Sequence, residues 1–337
     1  MKQNNAALWT TMTVLLIAVF FLSLAAGRFA IAPGEVCDIL MRAAGGNAGT
    51  DMASTVVLEL RLPRTLIAML VGAGLSLSGA VYQGIFRNPL VSPDVLGVSS
   101  GAGFGAVLGI LLWGTGGGTS LLAFICGAAS VWLAYYFSKS RGSVSMMSLV
   151  LSGIIISSIF SALISLVKYA ADPYDKLPAI TYWLMGSFSK ADFDKLEIIG
   201  LPMIAAGALL LAMRWRINIL SLGEEEARSL GIDPARLRNI AIVAATVITA
   251  LSVTSCGIVG WVGLVIPHMC RRMVGVDHQR LLPATCFVGA IFLALVDICA
   301  RSLLAAELPI GILTALLGAP FFAVLLKRTR EKMGDWS

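Results

Sequence analysis

Long apolar runs separated by short polar breaks make up most of this chain. An α-helix needs about 20 apolar residues to cross a hydrocarbon core. On that measure the runs predict ten spans, near 8–27, 63–86, 95–113, 119–138, 146–168, 193–213, 239–257, 258–270, 281–300 and 309–326, the eighth of them short. No remaining stretch is long enough for a separate soluble domain, so residues 1–337 read as one transmembrane domain. The expected fold class is all-α: a polytopic membrane protein with ten transmembrane helices. Small residues recur inside the spans, where they let helix backbones approach in the absence of a hydrophobic drive from lipid. Gly97, Gly101, Gly105 and Gly109 fall on one face of the third span, Gly72, Gly74, Ser76, Ser78 and Gly79 cluster in the second, and Gly257, Gly260 and Gly263 mark the seventh-to-eighth junction.

Two polar segments are expected to be structured. In the outer segment 172–190, Asp175, Pro178 and a closing Gly186 bracket Ala179 to Met185, which fits a short re-entrant or interfacial helix. In the inner segment 214–238, Glu224, Glu225 and Glu226 open a helical turn that Gly231 closes. Asp233-Pro234 then has the cap-and-first-position form of a second short helix. Leu222, Ala227 and Leu230 would give the first of these an apolar ridge suited to docking a soluble partner. A solvated connector is the alternative.

Composition agrees with the pattern. The chain is 58% hydrophobic and only 13% charged, well below the roughly 25% charge of soluble domains. A net charge of +6 could suggest nucleic acid, but the basic residues occupy short breaks between spans, so membrane topology accounts for it. With the amino terminus placed inside, inward loops hold 11 Lys/Arg and the tails 5, or 16 of the 25, which predicts that both termini are cytoplasmic. The first run, Leu8 to Ala26, exceeds a secretory leader's apolar core and reads as a retained span.

The chemistry is mostly absent. No G-x-x-x-x-G-K-[ST] loop occurs, so the chain lacks the usual cradle for nucleotide phosphates. His268 and His278 have no acidic or Cys partners at ligand spacing, and the six cysteines never form a C-x-x-C pair. No catalytic, cofactor-binding or metal-ligating residue is therefore assigned. Asp297 lies four residues before Arg301, so a helical i,i+4 pair is expected. So few intramembrane carboxylates disfavour an ion-gradient-driven secondary transporter. The lack of a nucleophile–base set disfavours an intramembrane enzyme.

Several segments, taken in order, carry a resemblance: Arg61-Leu62-Pro63-Arg64-Thr65, Tyr82 to Leu90, Leu96 to Ala102, Trp183 to Ser187, Gly223 to Gly231, Gly260 to His268 with Arg271, and Glu307 to Gly311 through Gly318-Ala319-Pro320. In these the chain resembles the FecCD-type permease family, importers of iron-siderophore complexes, haem and cobalamin. The resemblance covers nearly the whole chain. It implies a homodimer in the bacterial inner membrane, with the pathway on the two-fold axis. Two ATP-binding subunits would lie beneath, carrying the ATP and magnesium that this chain lacks, and an extracytoplasmic solute-binding protein above. It makes Gly223, Glu224, Glu225, Ala227, Leu230 and Gly231 the ATPase-coupling element. Arg61, Arg64 and Arg301 match arginines that face outward to carboxylates of the binding protein, with snorkelling at the headgroups as the alternative. Asn88 and Leu90 match a cytoplasmic gate, though they would also suit a plain turn. Met146 and Met147 fall where the cobalamin member's second constriction is hydroxylic, which is a departure. The cargo implied is a metal chelate, ferric siderophore first and then haem or cobalamin, with an oxyanion such as molybdate as an alternative on the same fold.

Overall fold

The computed structural model describes residues 5–47, 49–140 and 143–334. Lys2 and Arg141, two of the basic residues counted inside, lie outside them, and so do the side chains of Lys327, Arg328, Arg330 and Lys332. In chain order the helices are α1 (Asn5–Ala25), α2 (Pro33–Ala44), α3 (Met52–Thr55), α4 (Leu62–Ile85), α5 (Val98–Trp113), α6 (Gly117–Ser138), α7 (Met146–Ala170), α8 (Lys176–Met185), α9 (Phe193–Ala212), α10 (Arg214–Leu222), α11 (Glu224–Ser229), α12 (Pro234–Cys256), α13 (Val262–Val274), α14 (His278–Ser302) and α15 (Ile310–Gly334). A π-helical turn, Val56–Arg61, joins α3 to α4, and a two-residue antiparallel ribbon precedes α7.

Every predicted run coincides with a helix. Seven are long and apolar enough to cross a membrane: α1, the stretch Met52–Ile85 ending in α4, α6, α7, α9, α12 and α14. The others, α5, α13 and the apolar part Ile310–Val324 of α15, are shorter. The region before α4 contains α2, which is only half apolar and so is not marked by an apolar run. Its boundary signals are nevertheless in place, with Pro33 at the start, Glu35 in the first turn and Arg42 in the last. Val36 and Ile39 bury its apolar stripe in a cluster with Leu24 of α1.

Burial separates the helices into two groups. In α4 and α12, 78% and 72% of the most apolar window is buried, against 22% in α1, α7 and α9. The first two are core helices, and the outer three present broad apolar faces to whatever surrounds the chain. Glycine sets how closely the core packs. α4 crosses α14 where Gly72 meets Gly289 and crosses α13 where Gly79 meets Gly263. At both positions an added Cβ would fall on the facing carbonyl. Along α5, Gly101, Gly105 and Gly109 receive α6 at Cys126, Leu122 and Thr119. Gly97 departs from that predicted stripe. It precedes α5 with φ +84° and faces Ser157 of α7, so its lack of a side chain serves a left-handed turn.

Candidate functional site

At the end of the bundle where α1 finishes and α14 ends, the last carbonyls of α1 have no helical partner and carry the negative end of its dipole. Two arginines from other helices satisfy them. Arg61 donates through Nη1 to Leu24 O at 2.7 Å and Ala25 O at 2.9 Å, and through Nη2 to Phe29 O. Arg301 donates to Ala26 O at 3.0 Å, and to Ser23 O and Oγ at 2.5 and 2.8 Å. Gly27 is needed beside them, because a Cβ there would lie 2.7 Å from the Arg61 guanidinium.

A fully buried carboxylate balances this positive charge. Asp297 lies 3.3 Å from Arg301 Nε, the predicted i,i+4 pair, and 2.8 Å from Arg64 Nη2. Arg64 also holds Glu307 at 2.9 and 3.0 Å in a two-point fork. The arrangement corrects the expectation that Arg61, Arg64 and Arg301 face outward. Arg61 and Arg301 are buried, and the Arg64 side chain is only 11% exposed. In a low-dielectric setting, unsatisfied helix-end carbonyls and a buried carboxylate draw in guanidinium groups that would be solvated on a free surface. Of the cluster, Glu307 reaches furthest outward, with its side chain 35% exposed. Its pairing with Arg64, 243 residues away in sequence, had no local signal.

At the other end, the segment 214–238 forms a rigid elbow. α11 lies between Gly223 and the left-handed Gly231 (φ +74°). Asp233 caps α12 by accepting from the Ala235 and Arg236 amides at 2.9 and 3.2 Å. Glu224 accepts from Arg228, 3.1 Å away on its own helix, and from Arg238 of α12, which ties α11 down. Two expectations change here. The second short helix is instead the first turn of the long α12, because Asp233-Pro234 starts a helix that nothing stops before Gly257. Ala227 is not part of an exposed ridge. It is buried in the main core, while Leu222 and Leu230 are 68% and 59% exposed and flank α11 on the surface. Glu225 is exposed.

The turn after α4 is set by Asn88, whose Oδ1 accepts from the Leu90 amide at 2.9 Å, and Leu90 is 55% exposed. Asp94 follows, accepting from the Ser99 hydroxyl, and burial pushes its carboxyl above the usual range. Met146 packs partly on the core, and Met147 is 69% exposed at the start of α7. The segment 172–190 contains the predicted short helix, α8. Its start is held by Asp172, which accepts from the Tyr174 and Asp175 amides, rather than by Asp175. Gly186 ends it at φ +78° and joins three elements: the Ser187 amide donates to Cys256 O at 2.8 Å, and the Ile310 amide donates to Gly186 O at 2.9 Å. Among the described residues, no group of three His, Cys, Asp or Glu is placed to hold a metal ion.

Comparison with known proteins covers both ends of this architecture. The FecCD transport family model matches residues 15–328. The chain is 43% identical to a molybdate import system permease protein, MolB, of Haemophilus influenzae, over 95% of each chain. It is 42% identical to an iron chelatin transport system permease protein of Helicobacter pylori, over 88% of this chain and 90% of the other, and 38% identical to the vitamin B12 import system permease protein BtuC of Citrobacter koseri, over 98% and 97%. A solved inward-facing conformation of a metal-chelate type ABC transporter superposes with a TM-score of 0.86 at 42% identity, covering 96% of this chain and 99% of that one. With the helix-end clusters, the α10–α11 elbow and the apolar bundle all inside the matched region, this chain belongs to the FecCD transport family of ABC importer permeases.

Proposed function

We propose that this chain works as one half of a homodimeric, ten-span permease with both termini in the cytoplasm. In this reading a solute-binding protein delivers cargo at the Arg64–Glu307 end, and two ATPase subunits drive the α11 end. The observation that carries it is the elbow. The Glu224–Arg238 pair and buried Ala227 make α11 stiff enough to transmit force to α12, a core helix, while exposed Leu222 and Leu230 offer a partner an apolar grip. Closure of the ATPases would then be converted into opposite gating at the two ends by shifting between discrete helix packings. Asn88, Leu90, Met146 and Met147 are the candidate gate, at the turn after α4 and the start of α7, with Asn88, Leu90 and Met147 exposed and Met146 partly packed on the core.

Docking at the outer end follows from charge exchange. Glu307 occupies one edge of Arg64 and is itself partly exposed, so a carboxylate of the binding protein can replace it without unmaking the Arg64–Asp297 pair. The cargo we assign is a metal chelate, ferric siderophore first. The iron chelatin and vitamin B12 relatives support that class, and the molybdate relative keeps an oxyanion as the second reading. The test is uptake by proteoliposomes containing this chain, its ATPase and its binding protein, combined with thermal shift of the binding protein against ferric chelates, haem, cobalamin and molybdate. Vanadate-sensitive uptake of the stabilising ligand is expected. Uptake driven by an ion gradient without the ATPase would overturn the reading.

A further inference from the structure

Between α9 and α12 an open groove of about 500 Å³ runs along the surface of the bundle. Its walls are Ala205 and Leu209 on one side and Ile240, Val243 and Val247 on the other, and Asn239 at one end is its polar lining residue. Small side chains on α9 leave the space open. Leu209 and Val243 are 44% and 62% exposed, so the groove faces the surroundings rather than the core. From Asn239 to Val247 it follows about 12 Å of helix axis at 1.5 Å per residue, close to the roughly 15 Å depth of one leaflet of hydrocarbon.

The polar end carries positive charge. Arg236 lies three and four residues before Asn239 and Ile240, hence on the same stripe of α12 as Val243 and Val247. α9 ends at this level and runs directly into α10, whose first turn is Arg214-Trp215-Arg216. All three are exposed, Trp215 to 50%, in the manner of a side chain placed at headgroup level. Of the carboxylates nearby, Asp233 caps α12 and Glu224 pairs with Arg228 and Arg238, while Glu225 and Glu226 are exposed on α11.

The geometry points to a binding site for an anionic phospholipid, with one acyl chain in the α9–α12 groove and the phosphate among Arg236, Arg214 and Arg216. The charge selects this occupant. A zwitterionic lipid would fill the groove equally well but would gain little from the exposed arginines of α10 and of the first turn of α12 beyond its polar end, and a helix of a second copy would leave them without counter-charge. The site combines the α9–α12 groove with arginines of α10 and the first turn of α12, and is independent of cargo.

The experiment uses the full chain in nanodiscs made of equal parts palmitoyl-oleoyl phosphatidylglycerol and phosphatidylcholine. Retained lipid is counted by native mass spectrometry after transfer to detergent. Preferential retention of phosphatidylglycerol is expected. A basic group at the membrane surface contributes about fivefold in affinity, so Arg236→Gln should reduce the preference about fivefold, and R214Q/R216Q/R236Q on the order of a hundredfold. Val243→Trp, a change at an exposed position, should expel the retained lipid, and added inorganic phosphate should not displace it. Equal retention of the two lipids, a preference that survives the triple substitution, or displacement by inorganic phosphate would each overturn the site. So would disulfide cross-linking of two copies through Val243→Cys, which would show a second copy covering the groove.

Discussion

Replacing Asp297 with Ala should destabilise the chain by about 3–5 kcal/mol, the usual cost of leaving a buried charge without its counter-ion. Asp297 is fully buried, with Arg64 at 2.8 Å and Arg301 at 3.3 Å. At an effective dielectric near 20, each such contact is worth roughly 5 kcal/mol before desolvation. Removing the carboxylate also removes its own desolvation cost, which offsets part of the loss. Arg64 keeps Glu307, but Arg301 is left with only neutral acceptors from α1, Ser23 and Ala26. Thermal unfolding of purified protein in detergent, read by loss of the monodisperse peak, should fall by on the order of 10 °C. Asp297→Asn, which keeps an acceptor, should fall by less. Replacing Asp297 and Arg301 together with Leu and Met should recover much of the loss, because neither charge then remains buried alone. A single Ala variant as stable as the parent, or a double variant no better than the single, would refute the view that this cluster holds α1 to α4 and α14.

Glu307→Gln should leave folding intact and tighten binding-protein docking several-fold in a pull-down, since it removes the internal competitor for Arg64; reversing Arg61 and Arg64 to Glu should instead unfold this end. Gly79→Ala should cost about 1–3 kcal/mol or more in the same unfolding assay, because its methyl would fall on the Gly263 carbonyl. Gly34→Ala, with nothing within 4 Å, should be neutral or slightly stabilising. Leu222→Asp with Leu230→Asp should lower transport per ATP hydrolysed in proteoliposomes about tenfold at unchanged unfolding temperature, whereas Ala227→Asp should reduce folded yield because Ala227 is buried. Burial raises the Asp94 carboxyl above 3.8, so the folded protein retains a proton that the unfolded chain has released. Stability should therefore fall as pH rises from about 4 through the raised value, and Asp94→Asn should flatten that slope.

The apolar runs were enough to place the start of a helix at each of them within about five residues, because long apolar stretches bounded by charged breaks leave little choice of helix ends. Local boundary chemistry was also legible. Gly186, Gly231 and Asp233-Pro234 act as stop, stop and start because their backbone preferences need no distant partner. The Asp297–Arg301 pair was readable for the same reason, being one turn apart. Tertiary structure alone decided where the other charges point. Arg61 turns to the end of α1, Arg64 reaches Glu307, and Glu224 reaches Arg238. Each pairing joins different elements and follows from the cost of leaving a buried polar group unpaired, which no spacing along one helix encodes. Ala227 shows the same limit: its position on α11 suggested an exposed ridge, and packing against the core overruled it.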